Sequence, residues 1–328
     1  LFKSLESIKK NMNKKTVLII RSSVKVGTTD IIKKIIFKNQ KINLAYCPER
    51  TVEGNAVKEI FRLPQYIGTQ DQYTKNKTNT FFSKLTKTKI NFKSFKEPEF
   101  LKLLDNYYRD TKFGFANEVA ILCEKLGLNA KKLIQSANFK FSRNNIPLPG
   151  PVGGPCLSKD PYILISSLND KKTKIYSREV NEKFVEIFSN KICKSIGKQD
   201  NKIKKVLLIG ITFKGKPDTN DYRNSTALNI IKKIKKKFRN IEIFVYDKFV
   251  SNDDIKNLLC HPVNNLEKEM KNFKIIIIHG NNNYIKKLNM IKLSSKMKVN
   301  TEIFDIWNNY DALKEKISNK VIYKGLGI

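Results

Sequence analysis

Pro149-Gly150-Pro151-Val152-Gly153-Gly154-Pro155-Cys156-Leu157-Ser158-Lys159-Asp160 interrupts a chain of 328 residues near its middle. Three glycines and three prolines in the first seven residues exclude the interior of a helix or strand. Proline fixes φ and removes a donor, whereas glycine permits φ > 0 and close backbone approach. The run therefore reads as a shaped loop that delivers a cysteine to the start of a helix at residues 160–168. The positive end of a helix dipole and the neighbouring Lys159 both favour thiolate, the nucleophilic form. On a continuous helix, Asp160 returns to the face of Cys156. The alternative is a small buried cysteine at a loop–helix junction, since free cysteine is among the most buried residue types. The glycine-rich approach and the Lys159-Asp160 pair argue for the reactive thiol.

Upstream of the loop, residues 97–127 carry the strongest helical pattern. Glu97-Pro98 opens it, with proline tolerated in the first turn. Phe100, Leu101, Leu104, Tyr108, Phe115, Val119, Leu122 and Leu126 fall at helical spacing, and Gly127 ends it. Lys102, Asn106 and Arg109 form a polar stripe, which reads either as an exposed face or as donors turned toward a site. Downstream, helices over 160–168 and 178–196 complete a helical middle segment, and residues 197–201 form a polar linker.

Alternating strands and helices flank this segment on both sides. On the N-terminal side, residues 1–13 read as the end of a helix, and residues 16–22 as a buried parallel strand. Thr28 or Thr29 is placed to cap a helix over 30–37. Strands follow at 42–47 and 65–68, the latter preceding a polar helix. Ser23, Glu49 and Glu53 lie in loops after strand carboxyl ends, where ligands bind in such sheets. On the C-terminal side, a strand at 205–210, a glycine turn to Gly215 and a helix from Ser225 open a second unit, with further strands at 241–247, 275–279 and 303–306.

Composition sets limits. The formal charge is +34, yet the 64 basic residues include only eight arginines and are spread over every segment. Nucleic-acid readers cluster their charge and use arginine for bidentate contacts, so no nucleic-acid partner is expected. The densest run, residues 232–237, reads as the solvated face of a helix. Five cysteines without CxxC spacing and two histidines argue against a disulfide framework or a metal site and suit a reducing cytoplasm. No apolar run reaches the length of a membrane span.

Gly150-Pro151-Val152-Gly153-Gly154-Pro155-Cys156-Leu157-Ser158-Lys159-Asp160 closely resembles the catalytic-cysteine signature of the UDP-glucose/UDP-N-acetylmannosamine/GDP-mannose dehydrogenase family. Arg21 to Thr29 resembles that family's R-S-T-V-P-x-G-T-T segment, with Ser23 replacing a threonine, and Cys47 to Gly54 resembles its S-P-E-x-x-x-E-G segment. Phe213-Lys214 with Asp221-Tyr222-Arg223-Asn224-Ser225 resembles its F-K…D-x-R-x-S pair, and Phe304-Asp305 its late F-D strand, although an arginine found there in some members is absent. Asn117 falls in a matching helix segment. The likeness runs collinearly through nearly the whole chain, and residues 47–54 and 147–156 look most like the N-acetylhexosamine members.

The resemblance implies two Rossmann-like α/β domains joined by a helical middle domain with one long central helix. It divides the chain into an NAD domain at 1–95, a central dimerisation domain at 96–198 and a UDP-sugar domain at 199–328. No Gly-x-Gly-x-x-Gly turn follows the first strand, so the first domain is expected to be incomplete, its phosphate-binding turn missing. The implied activity is NAD-dependent oxidation of a UDP-sugar C6 alcohol to the uronate, for surface polysaccharide precursors, in a cytoplasmic homodimer. Catalytic roles fall on Cys156, Lys102, Asn106, Asp160, Glu49 and Ser23. Lys102 and Asn106 face the oxyanion, and Glu49 or Asp160 activates water. Ser23, Glu53, Lys159 and Arg223 are implied at the cofactor. Glu49, Lys102, Asn106, Gly153, Phe213 and Lys214 are implied at the sugar nucleotide. A truncated, inactive homologue that binds UDP-sugar or dimerises without turnover, a basic nucleic-acid binder, and an NAD dehydrogenase without a covalent step remain alternatives.

Overall fold

The computed structural model describes residues 1–38, 41–168, 173–199 and 204–328. Asp200 and Asn201 of the expected linker lie outside them. In chain order the first elements are α1 (Phe2–Lys9), β1 (Val17–Ile20), α2 (Thr28–Ile35), β2 (Asn43–Tyr46), α3 (Ala56–Ile60), β3 (Gln65–Thr69), α4 (Gln72–Phe82) and β4 (Lys89–Phe92). Then come helices α5 (Lys96–Leu126), α6 (Ala130–Asn138), α7 (Asp160–Ile165) and α8 (Tyr176–Gly197). The C-terminal part holds β5 (Lys204–Ile209), α9 (Thr226–Lys237), β6 (Ile241–Tyr246), α10 (Asn252–Asn257), β7 (His261–Pro262), α11 (Leu266–Glu269), β8 (Ile275–Ile278), α12 (Asn283–Lys286), α13 (Met290–Ser295), β9 (Thr301–Asp305) and β10 (Val321–Lys324).

Contacts divide the chain into two compact units, Leu1–Tyr108 with Lys159–Ile175, and Arg109–Ser158 with Tyr176–Ile328. Helix α5 contributes its first part to one and the remainder to the other.

The first unit is a four-stranded sheet in the order β1-β2-β3-β4. Side chains alternate faces along β2. Leu44 and Tyr46 join Ile20, Ile32 and Phe95 on one side, while Ala45 and Cys47 join Ile67 and Phe82 on the other. β1 and β3 pair in parallel with β2 and β4 respectively, but β2 and β3 run antiparallel. The alternation of strands and helices is that of a doubly wound α/β sheet, in which this antiparallel pair is a local departure. The connection over residues 47–64 carries only the five-residue α3, and β3 returns beside β2 in the opposite sense. A correction concerns the start of α2. Neither Thr28 nor Thr29 caps it. Gly27 does, at φ 91°, and Thr29 inside the helix gives its hydroxyl to Glu99.

The second unit contains a six-stranded parallel sheet in the order β10-β9-β8-β5-β6-β7. Numbered from its own first strand this is 3-2-1-4-5-6, the doubly wound Rossmann order. Both faces are covered, which is why β5 and β8 read as unbroken apolar runs. Val206, Leu208, Ile275 and Ile277 face one core, and Leu207, Ile209, Ile276 and Ile278 the other. Ser225 caps α9 by accepting from the Ala227 amide. The order reverses between β5 and β8, where Gly210 and Gly280 approach closely. A Cβ on Gly210 would lie 2.7 Å from the Gly280 Cα. Loops from these two strands open the crevice in which such sheets bind ligands.

Candidate active site

In the second unit, the glycines of the 149–158 loop are pressed against the switch-point elements. A Cβ on Gly150 would lie 2.0 Å from the Trp307 ring, and one on Gly153 would lie 2.6 Å from the Asn224 carbonyl oxygen. Gly154 has φ +89°, and a Cβ there would lie 2.3 Å from the Phe213 ring. The Gly154 amide also donates to the Asn224 carbonyl at 2.8 Å. Glycine is therefore required here for close approach as well as for turn geometry. The loop is brought to Phe213, beside Lys214, and to Asn224, beside Arg223. The Lys214 ammonium lies 5.2 Å from the Phe213 ring centroid. The Phe213 amide donates to the Asp221 carbonyl at 3.1 Å, which closes the long segment between Lys214 and Arg223. Asp221 holds the largely exposed Arg223 guanidinium at 2.7 Å.

Buried polar side chains fix the loop to its helices. Asn117 on α5 bonds Gly150 twice, accepting from its amide at 2.8 Å and donating to its carbonyl at 3.0 Å. Arg178 on α8 donates to the carbonyls of Val152 at 2.9 Å and Leu157 at 3.3 Å. Its charge is matched by Asp110 at 2.5 Å. Asn181 donates to Asp110 at 2.8 Å and accepts from Asn117 at 2.8 Å. Burial pushes the Asp110 carboxyl up, against the pull of Arg178 and the hydrogen bonds of Asn181 and Ser177. A cavity of about 310 Å³ adjoins this network, lined in part by Gly153, Ser158, Arg178, Asn224 and Thr226.

Cys156 is exposed, whereas Cys47, Cys123, Cys193 and Cys260 are buried. Burial pushes the Cys47 thiol up to about 12 and also raises those of Cys193 and Cys260. Cys156 lies in turns, and α7 begins only at Asp160. The helical i, i+4 relation between the two residues expected from the sequence is thus absent.

In the first unit, Asp160 is fully buried. It accepts from the Asn106 amide at 2.7 Å and from the Lys159 ammonium at 2.7 Å. An asparagine amide has two N–H donors, and Asp160 takes one of them. Lys102, one turn earlier on α5, is half-buried and makes no ion pair with another described residue. Glu49 follows β2. One of its oxygens accepts from the amides of Arg50 and Thr51, each at 2.8 Å. The other pairs with the Arg21 guanidinium. Burial works to raise the Glu49 carboxyl, but the hydrogen bonds from Thr51 and Arg21 outweigh it and hold the group below the ordinary carboxylate range. Ser23 is half-buried in the loop after β1, and Glu53 is exposed in the loop after β2.

The N-terminus of α2 is occupied from within. Glu99 accepts from the Gly27 amide at 2.6 Å and the Thr29 amide at 2.8 Å. Sequence reasoning missed Glu99, along with Arg21, Asp110, Arg178 and Asn181. Arg21 opens a motif segment after β1, and the other four gave no local signal, since a single charged or amide side chain on a helix reads as an exposed one. Among the described residues no group of three or more His, Cys, Asp or Glu could hold a metal ion. Nor is any helix among them long and apolar enough to cross a membrane.

Three family models match in chain order. They are the NAD binding, central and UDP binding domains of the UDP-glucose/GDP-mannose dehydrogenase family, over residues 1–86, 96–187 and 207–312. The UDP-N-acetyl-D-mannosamine dehydrogenase of Methanocaldococcus jannaschii is 33% identical over 330 residues, covering 99% of this chain and 74% of that one. The solved UDP-D-ManNAc dehydrogenase of Pyrococcus horikoshii superposes with a TM-score of 0.80 at 25% identity, over 99% of this chain and 76% of that one. The UDP-N-acetyl-mannosamine dehydrogenase Cap5O of Staphylococcus aureus gives 0.78 at 26% identity, over 99% and 75%. With the glycine loop, the paired-carboxylate segment and the switch-point crevice all falling inside matched domains, this chain belongs to the UDP-glucose/GDP-mannose dehydrogenase family.

Proposed function

We propose that this protein oxidises the C6 alcohol of a UDP-N-acetylhexosamine to the uronate in two steps, with Cys156 as the nucleophile. The observation that carries the reading is Cys156 itself: an exposed thiol on a loop whose glycines are packed against Phe213, Asn224 and Trp307. The relatives named as UDP-N-acetyl-D-mannosamine dehydrogenases support the N-acetylhexosamine substrate.

When bound, NAD accepts a hydride from the substrate carbon at each oxidation, so two are consumed per uronate. Ser23 and Glu53, in loops at strand carboxyl ends, suit its ribose and carboxamide groups, and the exposed guanidinium of Arg223 suits a phosphate. Lys159 is assigned to the same ligand. The N-terminus of α2 suits no phosphate, because Glu99 fills it.

After the alcohol has become an aldehyde, the Cys156 sulfur adds to the carbonyl carbon. The new C–S bond places charge on oxygen, and Lys102 and Asn106 donate to that oxyanion. Donors at such a position are worth about 3 kcal/mol each. Loss of the second hydride and collapse of the C–O⁻ bond to C=O give a thioester. Water then attacks its carbonyl, the C–S bond breaks, and carboxylate and thiol are released. Asp160 takes the proton of that water. Glu49, whose carboxyl Arg21 and two amides hold below the ordinary carboxylate range, serves to orient water and substrate. Gly153, Phe213 and Lys214 receive the UDP-sugar. In this reading residues 1–95, 96–198 and 199–328 act as cofactor, central and sugar-nucleotide domains.

Two copies are proposed to associate through α5, along which Phe100, Leu104, Tyr108, Phe115, Leu122 and Leu126 are all exposed. Five free cysteines suit a reducing cytoplasm. The test is a turnover screen with NAD and, in turn, UDP-N-acetylmannosamine, UDP-N-acetylglucosamine and UDP-glucose. Uronate from an N-acetylhexosamine substrate, with two NADH each, is expected. Cofactor and UDP-sugar binding without turnover would replace this reading with that of a binding homologue.

A further inference from the structure

Arg178 lies on a different helix from every residue assigned a role in the chemistry, yet it grips the loop on both sides of Cys156. One nitrogen of its guanidinium donates to the Val152 carbonyl at 2.9 Å, and the other reaches the Leu157 carbonyl at 3.3 Å. That second nitrogen also bonds Asp110 on α5 at 2.5 Å. Nε faces the Glu182 carboxylate at 3.4 Å. Arg178 is 3% exposed and Asp110 is fully buried. Asp110 is held in turn by Ser177 at 3.2 Å and Asn181 at 2.8 Å.

Val152 stands four residues before Cys156, and Leu157 one residue after it. Between those two carbonyls the loop is also held by the Gly154 amide on the Asn224 carbonyl at 2.8 Å and by the Ser158 hydroxyl on the Gly154 carbonyl at 2.7 Å. Gly153 and Gly154 lack side chains, and Pro155 lacks an N–H. A chain so built depends on contacts made to its carbonyls. A guanidinium supplies donors in a rigid planar fork, so its orientation dictates the spacing of the carbonyls it holds. A lysine ammonium offers one mobile nitrogen and cannot span the same two carbonyls and a carboxylate in one geometry.

We propose that Arg178, oriented by Asp110, is a positioning residue that sets where the Cys156 sulfur stands relative to the substrate aldehyde. The inference rests on Cys156 being the nucleophile. It predicts a specific failure: with the fork lost, the alcohol is still oxidised, but capture of the aldehyde slows. A displacement of about 1 Å costs on the order of a hundredfold in rate, and uncaptured aldehyde escapes.

The experiment uses the full chain with UDP-N-acetylmannosamine and NAD, with semicarbazide present to trap free aldehyde, and reads semicarbazone per uronate by mass spectrometry. This ratio does not depend on the fraction of protein folded. Wild type is expected to give uronate with little semicarbazone. Arg178→Lys, which keeps the charge, is expected to raise the ratio at least about tenfold. Should Arg178→Lys fail to fold, Asp110→Asn is read in the same way and is expected to raise the ratio as well. A wild-type ratio in the variant that folds would overturn the inference. Cys156→Ser, run in parallel, separates the two claims. Uronate from it at the wild-type rate sinks the nucleophile reading, whereas its loss together with an unchanged ratio in Arg178→Lys sinks only the positioning role.

Discussion

Gly154 joins two constraints that a side chain would violate together. Its φ of +89° lies in the left-handed region, and its Cα faces the Phe213 ring so closely that a Cβ would stand 2.3 Å away. Gly154→Ala should cost about 3 kcal/mol, from left-handed strain and overpacking, read as a lowered urea midpoint. It should also raise KM for the UDP-sugar, since Phe213 has to move. The glycines were legible in the sequence as loop formers. Their partners, Trp307, Asn224 and Phe213, were not, because each lies at least 59 residues away in the chain and no local pattern records such contacts. The same holds for Arg178 and Asp110. Single buried charges on helices look like exposed ones until the partner is known. Cys156 differs, because glycine, proline and lysine neighbours marked it locally. Its exposure predicts that iodoacetamide modifies Cys156 well before the four buried thiols, as peptide mapping would reveal.

At the scale of elements, the long helix expected over 97–127 is observed as Lys96–Leu126, and β5, β6, β8 and β9 fall within a few residues of the apolar runs that predicted them. β4, β7 and β10 escaped. They are short strands at the edges of their sheets, where one side needs no apolar partner. Two buried groups at the carboxyl end of the second sheet make its pH response testable. Burial lowers the His279 imidazole to about 4 from an ordinary 6.5, so the unfolded chain binds the proton first. The stability His279 contributes is present above pH 6.5 and is lost as pH falls toward 4. Burial raises the Asp305 carboxyl to about 6 from 3.8, against its hydrogen bonds from Tyr323 and the backbone. Its contribution is full below pH 3.8 and is lost as pH rises through 6. The two slopes oppose each other and partly cancel in the native protein. His279→Asn removes one of them. The stability gap between wild type and this variant should narrow by about 3 kcal/mol between pH 7 and pH 4, measured by urea unfolding at both pH values. A gap independent of pH would show that His279 does not titrate as its burial demands.

For the molecule as a whole, the apolar stripe on α5 is the feature that a lone chain leaves uncovered. Phe115 and Leu122 are about half exposed, and large apolar side chains arrayed along one helix mark an interaction surface. On the proposed pairing through α5, wild type should sediment as a dimer and Phe115→Asp as a monomer, and identical sedimentation of the two would contradict that pairing. The formal charge of +34 adds a general pull toward anionic ligands that weakens with salt, without choosing among them. The covalent step is the claim on which the functional account turns, and uronate formation by Cys156→Ser measures it most directly. With UDP-N-acetylmannosamine and NAD supplied, the variant should form uronate at least about a hundredfold more slowly than wild type. Uronate at the wild-type rate from a chain with no thiol at position 156 would contradict the account.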